Sequence, residues 1–106
     1  MLSPIADAGT LPWVRLAPGF SFKLIRATTD DDTWVELLRV EPGTTIPRHR
    51  HTGEELLYMI EGSHADESGE VATGNMSIRP NGCTHNVKSR NGAISLAFLW
   101  GGIEVV

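Results

Sequence analysis

The sequence predicts a single all-β domain, and three observations support this. The 106 residues include 11 glycines and 6 prolines, which fall between short apolar runs instead of clustering in one linker. Turn signals recur along the chain and divide it into short segments, as in proteins built from many strands. No segment shows a sustained apolar period of 3.6 residues, which would indicate an amphipathic helix. A chain of this length can bury one core.

Seven strands are predicted between these turns. In chain order they are Phe22–Ala27, Thr33–Val40, Thr45–His51, Glu55–Glu61, Met76–Arg79, Thr84–Lys88 and Ala93–Trp100. The turns between them include Glu41-Pro42-Gly43, Glu67-Ser68-Gly69, Pro80-Asn81-Gly82 and Asn91-Gly92. Asn91-Gly92 predicts a two-residue hairpin turn, because both residue types tolerate positive φ angles. Residues 1–11 are predicted to form an N-terminal arm, either mobile or added to a sheet edge.

Composition argues against several classes of partner. The formal net charge is −4 and no basic patch is visible, so nucleic acid is not expected as a partner. The N-terminus lacks the basic and apolar regions of a signal peptide, and no apolar run approaches the length of a membrane span. Cys83 is the single cysteine, which fits a reducing compartment. The sequence therefore predicts a cytoplasmic protein without membrane contacts.

Two clusters of residues predict a metal site. The first reads G-x5-H-x-H-x3-E-x6-G and the second reads G-x5-P-x-G-x2-H; their members are Gly43, His49, His51, Glu55, Gly62, Gly74, Pro80, Gly82 and His85. His49 and His51 share one face of a strand, roughly 6–7 Å apart, so that both imidazoles can reach one ion. Glu55 and His85 follow on later strands. The predicted ligands are therefore His49, His51, Glu55 and His85.

Other interpretations of these side chains stay open. A strand histidine is more often a surface or hydrogen-bonded core residue than a ligand, and His64, which has no matched partner in the motif, is interpreted in that way. Glu55 can also point away from the metal and act as a hydrogen-bond partner. The glycines have a simpler explanation, since they suit sharp turns whether or not a metal binds.

The two clusters resemble the paired motifs of the cupin superfamily. The resemblance covers roughly residues 33 to 100 and includes all nine positions; it departs at Ser89, where the family usually has Asn. It implies a small antiparallel jelly-roll barrel, which would be one cupin domain over residues 12–106.

The flanking sequence is similar to a narrower group, the bacterial acetylacetone-cleaving and dihydroxyacetophenone dioxygenases, with the cupin half of certain zinc-binding anti-sigma factors as relatives. The matching segments are Trp13-Val14, Phe22-Lys23-Leu24-Ile25-Arg26, Thr33-Trp34, Pro47-Arg48-His49 with His51 and Gly53, and Leu96-Ala97 to Gly101. In the diketone-cleaving relatives three histidines bind the metal, and the position of Glu55 is not a ligand. Three neutral imidazoles leave the ion its full positive charge, which favours the binding of an anionic substrate such as a bidentate enolate.

The resemblance implies an Fe(II)-dependent dioxygenase that cleaves a carbon–carbon bond in a small diketone or hydroxyketone. Dioxygen would be the second substrate, and Glu55, the candidate catalytic residue, would be a fourth ligand or a proton acceptor. Iron is the expected metal, with Zn, Ni or Mn as alternatives. A second hypothesis is a non-catalytic zinc-binding cupin that senses a ligand or binds it. A third is an isomerase or sugar-modifying cupin without redox chemistry.

Apolar residues on both faces of one strand predict a homodimer. On Glu55–Glu61, Leu57 and Met59 share a face with Glu55, while Leu56, Tyr58 and Ile60 lie opposite. Since an outer face in water should be polar, the second set needs a cover, either the N-terminal segment or a second chain. On Ala93–Trp100, the larger side chains Ile94, Leu96, Phe98 and Trp100 are predicted to face the core, with the wall of a pocket as the alternative.

Overall fold

Ten antiparallel strands dominate the computed structural model, which describes residues 2, 5, 7–30 and 32–106. The strands are β1 Val14–Ala17, β2 Phe20–Ala27, β3 Thr33–Val40, β4 Thr44–His51, β5 Glu55–Asp66, β6 Gly69–Ala72, β7 Met76–Arg79, β8 Thr84–Ser89, β9 Ala93–Trp100 and β10 Ile103–Val105. A short 3-10 turn spans Ala8–Thr10. The predicted all-β class is confirmed, and each of the seven predicted strands is present.

The strands form one curled antiparallel sheet in the order β1-β2-β3-β9-β5-β8-β4-β10, with β6 and β7 also paired to β5. Its two halves face each other, since residues from both line the same interior cavity. This is the jelly-roll barrel that the cupin resemblance implies. Four residues of the predicted N-terminal arm (1, 3, 4 and 6) lie outside the described residues, so the division at residue 11 stays a prediction.

Strand β5 links the two halves of the sheet and changes partners at Gly62. Before this point β5 pairs with β9, ending with Gly62 opposite Ala93; beyond it β5 pairs with β6, starting with Ser63 opposite Ala72. Gly62 has φ +88°, and a Cβ there would lie 2.1 Å from the carbonyl oxygen of Gly92. Only glycine combines that backbone angle with so close a contact. The second half of β5 thereby reaches the strands that carry the histidines.

The core lies between the two halves of the sheet and is built mainly from Leu38, Val40, Leu57, Met59, Val71, Ala93, Ala97 and Leu99. The prediction for β9 was wrong. Ala93, Ser95, Ala97 and Leu99 are its buried residues, while Phe98 and its neighbours on the same face are half-buried or exposed. The larger residues were assigned to the core because they are more apolar, but the narrow interior beside the histidines accommodates the smaller set.

The larger residues of β9 belong to an outer apolar face that extends across β9, β5 and β7. Cross-strand register places Leu56 opposite both Phe98 and Ile78, and Tyr58 opposite Met76. We call this surface the outer apolar face; it consists of Leu56, Tyr58, Ile60, Met76, Ile78 and Phe98. All except Leu56 are at least 36% exposed, with Ile78 at 65%. Contiguous apolar surface of this kind marks interaction sites on soluble proteins.

The predicted hairpin at Asn91-Gly92 was also wrong. Strand β8, which precedes it, pairs with β4 and β5, whereas β9, which follows it, pairs with β3 and β5. The segment therefore crosses from one half of the sheet to the other. Gly92 does have a positive φ of 87°. The sequence correctly predicted a positive φ at Gly92. It did not predict which strands pair, because strand pairing depends on register and packing across the whole sheet.

No helix among the described residues is long and apolar enough to cross a membrane.

Gly53, between the two strands that begin the candidate site, has the closest backbone contact of any described glycine. A Cβ at this position would lie 1.6 Å from the carbonyl oxygen of Trp100. Gly53→Ala is therefore expected to destabilise the fold by roughly 3 kcal/mol or more, because backbone must move. Gly74→Ala is the control, since Gly74 has φ +85° but open space around it, and about 1 kcal/mol is expected there. Urea unfolding measures both, and equal losses would contradict the steric argument.

Candidate metal centre

Three histidines meet in the interior of the sheet. His49 and His51 lie on β4 with their side chains on the same face, and β8 pairs with β4 so that His85 is directly opposite His49. The ring centroids of the three pairs lie 4.4–5.0 Å apart. One ligand atom from each residue lies within 4.8 Å of the other two, and all three residues are buried. The structure thus brings together three of the four predicted ligands.

Backbone contacts orient the first imidazole. His49 Nδ1 lies 2.8 Å from the carbonyl oxygen of Pro47. A carbonyl only accepts hydrogen bonds, so Nδ1 carries the proton and donates it. Nε2 is then the nitrogen with a free lone pair, as metal coordination requires.

A buried ion pair orients the second imidazole. His85 Nδ1 donates to Asp66 Oδ2 at 2.7 Å, and Arg79 Nη1 donates to the same oxygen at 2.8 Å. The Asp66 side chain is only 1% exposed. Hydrogen bonds from His85 and Ser68 and the nearby Arg79 charge lower the pKa of Asp66 against the opposing effect of desolvation, so the carboxylate is ionised. It fixes the His85 tautomer and leaves Nε2 free.

The third imidazole, that of His51, points towards the His85 ring. His51 Nε2 lies 2.9 Å from His85 Nε2, while His51 Nδ1 is buried without a hydrogen-bond partner among the described residues. In the metal-free chain His51 Nε2 must donate, because His85 Nδ1 already holds the proton of that ring. Two nitrogens bound to one ion at 2.0–2.1 Å and at right angles would be about 2.9 Å apart, so the residues present fit a divalent transition metal.

Glu55 is close to this group without being part of it. It begins β5, is buried, and lines the same cavity as the histidines, but among the described residues the compact ligand group contains only the histidines. Burial raises the pKa of Glu55 to about 7, an effect that the Arg79 charge partly offsets and Glu36 reinforces. A carboxyl with that pKa exchanges a proton near neutrality. Coordination by Glu55 therefore stays a prediction.

His64 was interpreted as a surface or hydrogen-bonded core residue; the structure places it among the buried residues. It lies on the second half of β5 and lines the same cavity as the three histidines. Its Nε2 is buried without a hydrogen-bond partner among the described residues. Burial, with a smaller effect of the Arg79 charge, lowers its pKa to about 4, so the ring is neutral at physiological pH.

The cavity beside the histidines is small, about 90 Å³, and mostly apolar. Its walls combine the charged and polar groups already described with side chains from both halves of the sheet, among them Leu38, Ile46, Val87, Ser95 and Leu99. A site of this size can hold a few non-hydrogen atoms or several water molecules. A small molecule bound here would be largely shielded from solvent.

Sequence reasoning missed Asp66 and Arg79. Asp66 directly precedes the Glu67-Ser68-Gly69 turn and accepts a hydrogen bond from the Ser68 amide, which is ordinary turn chemistry. Arg79 ends a four-residue strand, and the adjacent motif residue Pro80 gives no sign that the arginine is buried. One signal was available in principle, since His85 needs an acceptor for its second nitrogen. The sequence alone could not identify which carboxylate provides it.

The buried histidines should make the metal-free protein sensitive to acid. Burial lowers the pKa of His51 to about 4, as for His64, so between pH 6.5 and 4 the unfolded chain binds protons that the folded chain does not. Stability therefore falls as the pH falls. Glu55 acts in the opposite direction, because its pKa of about 7 in the fold is higher than in the unfolded chain. The folded chain therefore holds a proton on Glu55 that the unfolded chain has lost, which stabilises the fold at low pH. This contribution is lost as the pH rises from about 4.5 to 7.

Urea unfolding of metal-free protein at pH 7 and pH 5 measures the balance. The wild type is expected to lose on the order of 1–2 kcal/mol at pH 5. Glu55→Gln removes the opposing contribution and should lose about 2 kcal/mol more over the same interval. A variant with the same pH dependence as the wild type would show that Glu55 does not titrate differently in the fold.

Comparisons with solved structures give the same fold. An RmlC-like cupin from Ralstonia eutropha has 21% identity and a TM-score of 0.85, over 95% of this chain and 70% of that one. An acetylacetone dioxygenase from Acinetobacter johnsonii has 13% identity and a TM-score of 0.83, over 100% of this chain and 77% of that one. A chain in the Rhodobacter sphaeroides complex of SigE with the anti-sigma ChrR has 22% identity and a TM-score of 0.77. The match covers 88% of this chain and 50% of that one.

No curated protein matches the sequence. The model of one family does match, over residues 3–101, and its description is the ChrR cupin-like domain. That range contains the three histidines, Asp66 and Arg79. The chain therefore belongs to the family of ChrR cupin-like domains.

Proposed function

We propose that this protein is an Fe(II)-dependent dioxygenase that cleaves a carbon–carbon bond in a small diketone or hydroxyketone. The observation that carries the proposal is the three-histidine group with Glu55 outside it, beside a cavity. Three protein ligands leave coordination positions for exogenous molecules, whereas a closed four-ligand site is typical of structural metals. The fold that the chain shares with an acetylacetone dioxygenase supports the same activity.

The metal would be held by His49, His51 and His85, and when bound it would supply Lewis acidity and redox chemistry. Glu55 would accept the proton from the carbon between the two carbonyls, because its carboxyl lines the cavity and has a pKa of about 7. Asp66, held by Arg79, would keep His85 in one tautomer and orientation. The apolar walls would exclude water from the reacting atoms.

The overall reaction balances without a further reductant. A 1,3-diketone and one dioxygen give a carboxylic acid and a 2-oxoaldehyde: one carbon–carbon bond breaks, each product gains one oxygen atom, and the substrate is oxidised as dioxygen is reduced. A hydroxyketone cleaved in the same way would give two carboxylic acids.

Elemental analysis of freshly purified protein, followed by oxygen uptake with the native metal, tests this proposal. Iron-loaded protein should consume one equivalent of oxygen per diketone or hydroxyacetophenone, and Glu55→Gln should lose turnover while it retains the metal. The absence of oxygen uptake across a panel of such compounds by fully iron-loaded protein would overturn the proposal.

A non-catalytic zinc-binding sensor is the second candidate, and the family match to ChrR cupin-like domains favours it. In that case purified protein would contain zinc, bind a small ligand, and consume no oxygen with any metal. The cavity and histidines would then report ligand binding to a partner protein. The elemental analysis and oxygen measurement distinguish the two candidates in one preparation.

We also propose that the chain forms a homodimer through the outer apolar face. Five of its six residues are substantially exposed, and a two-fold axis through this face would bury the same surface on both copies. Sedimentation at micromolar concentration should give a dimer, and Ile78→Lys should give a monomer. Leu24→Lys, an exposed apolar position on β2, is the control that should remain dimeric. A monomeric wild type would overturn this proposal.

A cytoplasmic location completes the proposal. Cys83 is a free thiol, and a reducing compartment preserves both a thiol and ferrous iron. Fractionation of cells that express the protein at native level tests it, with recovery in the cytoplasmic fraction expected and recovery outside the cell contradicting it.

A further inference from the structure

Two side chains that line the cavity beside the three histidines are exposed to solvent. We call this cavity the histidine cavity. Of its lining residues, Leu16 is 54% exposed and Ile103 is 52% exposed, whereas all the others are buried or partly buried. A residue that lines a cavity and is also exposed lies at the boundary between the cavity and the surface. Leu16 and Ile103 are therefore the lining residues at which the histidine cavity comes nearest to solvent.

These two side chains belong to the first and last strands of the sheet. Leu16 lies on β1, which pairs with β2, and Ile103 lies on β10, which pairs with β4. The strand order begins with β1 and ends with β10, and no pairing between these two strands is present among the described residues. Backbone hydrogen bonds hold paired strands about 4.8 Å apart, which leaves no passage between them. The facing edges of β1 and β10 lack this restriction.

Two other sides of the histidine cavity are closed by packed side chains. On one side Phe20 and Ile46 line the cavity and pack against the hydrophobic core. On another side β7 pairs only with β5 among the described strands, but Arg79 at its end forms an ion pair with Asp66 on β5. The side chains of this pair are only 6% and 1% exposed. Because packed groups fill both sides, the side between β1 and β10 remains as the route to the imidazoles.

We propose that Leu16 and Ile103 form the entrance of the histidine cavity and set the rate at which metal ions and small ligands reach the imidazoles. Both side chains are aliphatic and half exposed, so they change rotamer without movement of the backbone. A larger side chain at either position narrows the entrance, and a smaller one widens it. The inference goes beyond the proposed function, because it applies to a dioxygenase and to a zinc-binding sensor alike.

The rates of cobalt capture and release test this entrance. Metal-free protein is mixed with Co(II) in a stopped-flow instrument, and the visible absorbance of bound cobalt follows capture. Release is followed by mixing cobalt-loaded protein with EDTA, at concentrations where the rate no longer depends on the chelator. Leu16→Trp and Ile103→Trp should slow both processes by about tenfold or more, because a narrower passage raises the barrier in both directions. The dissociation constant is the ratio of the two rates, so it should change by less than about threefold.

Leu16→Ala and Ile103→Ala should have the opposite effect. Their smaller side chains widen the entrance, so capture and release should both be faster than in the wild type, again with little change in affinity. These variants keep the test decisive where the larger side chain disturbs β1 or β10. A substitution that merely weakened the metal site would instead speed release and leave capture unchanged.

Val14→Trp and Val105→Trp are the matched controls. Each of these valines lies two residues from an entrance residue on the same strand and is exposed, but neither lines the histidine cavity. Both variants should therefore capture and release cobalt as the wild type does.

Two results would overturn the inference while leaving the proposed function intact. One is capture at the wild-type rate by both Leu16→Trp and Ile103→Trp, and the other is equal slowing in the two control variants. Wild-type protein that binds no cobalt would remove the metal centre and the inference together, whereas a lack of oxygen uptake would remove only the proposed dioxygenase.

Discussion

His51→Ala is expected to abolish metal binding, whereas Glu55→Gln is expected to retain it. His51 is one of the three members of the ligand group, with its Nε2 2.9 Å from Nε2 of His85, and removal of its imidazole leaves two ligands. The loss of affinity should exceed the 10–100-fold effect that is typical when only an outer hydrogen-bond partner is removed. Glu55→Gln should change affinity by less than about tenfold, since the carboxyl is outside the group.

Competition with a chelator, followed by elemental analysis, measures both affinities. His64→Asn is the matched histidine control, because His64 lines the same cavity without belonging to the ligand group, and it should bind metal as the wild type does. A Glu55→Gln variant that loses the metal as completely as His51→Ala would establish a four-ligand site. The diketone-cleaving relatives would then be a poor guide to the chemistry of this chain.

The second large effect concerns the buried carboxylate behind His85. Asp66→Asn leaves Arg79 without its charged partner in a position where only 6% of its side chain is exposed, and such a loss costs about 3–5 kcal/mol. The same variant replaces the carboxylate that accepts from His85 with a neutral amide oxygen, which is a weaker acceptor and holds the His85 tautomer less firmly, so metal affinity should fall by about tenfold. Chemical unfolding and metal competition measure the two effects separately.

Two further variants separate charge burial from histidine positioning. Replacement of both members of the pair, Asp66→Leu with Arg79→Met, should recover much of the stability, because no unpaired charge remains. Metal affinity should stay low in this double variant, since leucine offers His85 no acceptor at all. Glu67→Gln is the exposed control: its ion pair with Arg48 contributes 0–1 kcal/mol at most. Recovery of both properties together would contradict a positioning role for Asp66.

Much of the fold could be predicted because the strands are bounded by local turn chemistry. Predicted and observed limits are the same for β3, β7 and β9 and differ by a few residues for β2, β4 and β8. The strands that were missed are short and pair at edges. Strand β6 has one buried residue and β1 and β10 have none, so their sequences carry almost no apolar periodicity.

The histidine group could be predicted for a different reason. Alternation along one strand fixes that His49 and His51 share a face, and this holds whatever the strand pairs with. The position of His85 opposite His49 depends on the register between β4 and β8, which only the motif spacing suggested. The inward face of β9 could not be predicted, because both of its faces are apolar and the size of the interior decides between them.

The pairing of β10 with β4 protects the strand that carries two of the metal ligands. Ile103 lies opposite His51 and Val105 opposite His49, so β10 covers one edge of β4. If these three residues separated from β4, the backbone groups along that edge would be unpaired and open to pairing with a strand of another molecule. The short strand β10 therefore guards the histidine-bearing strand against association through its edge.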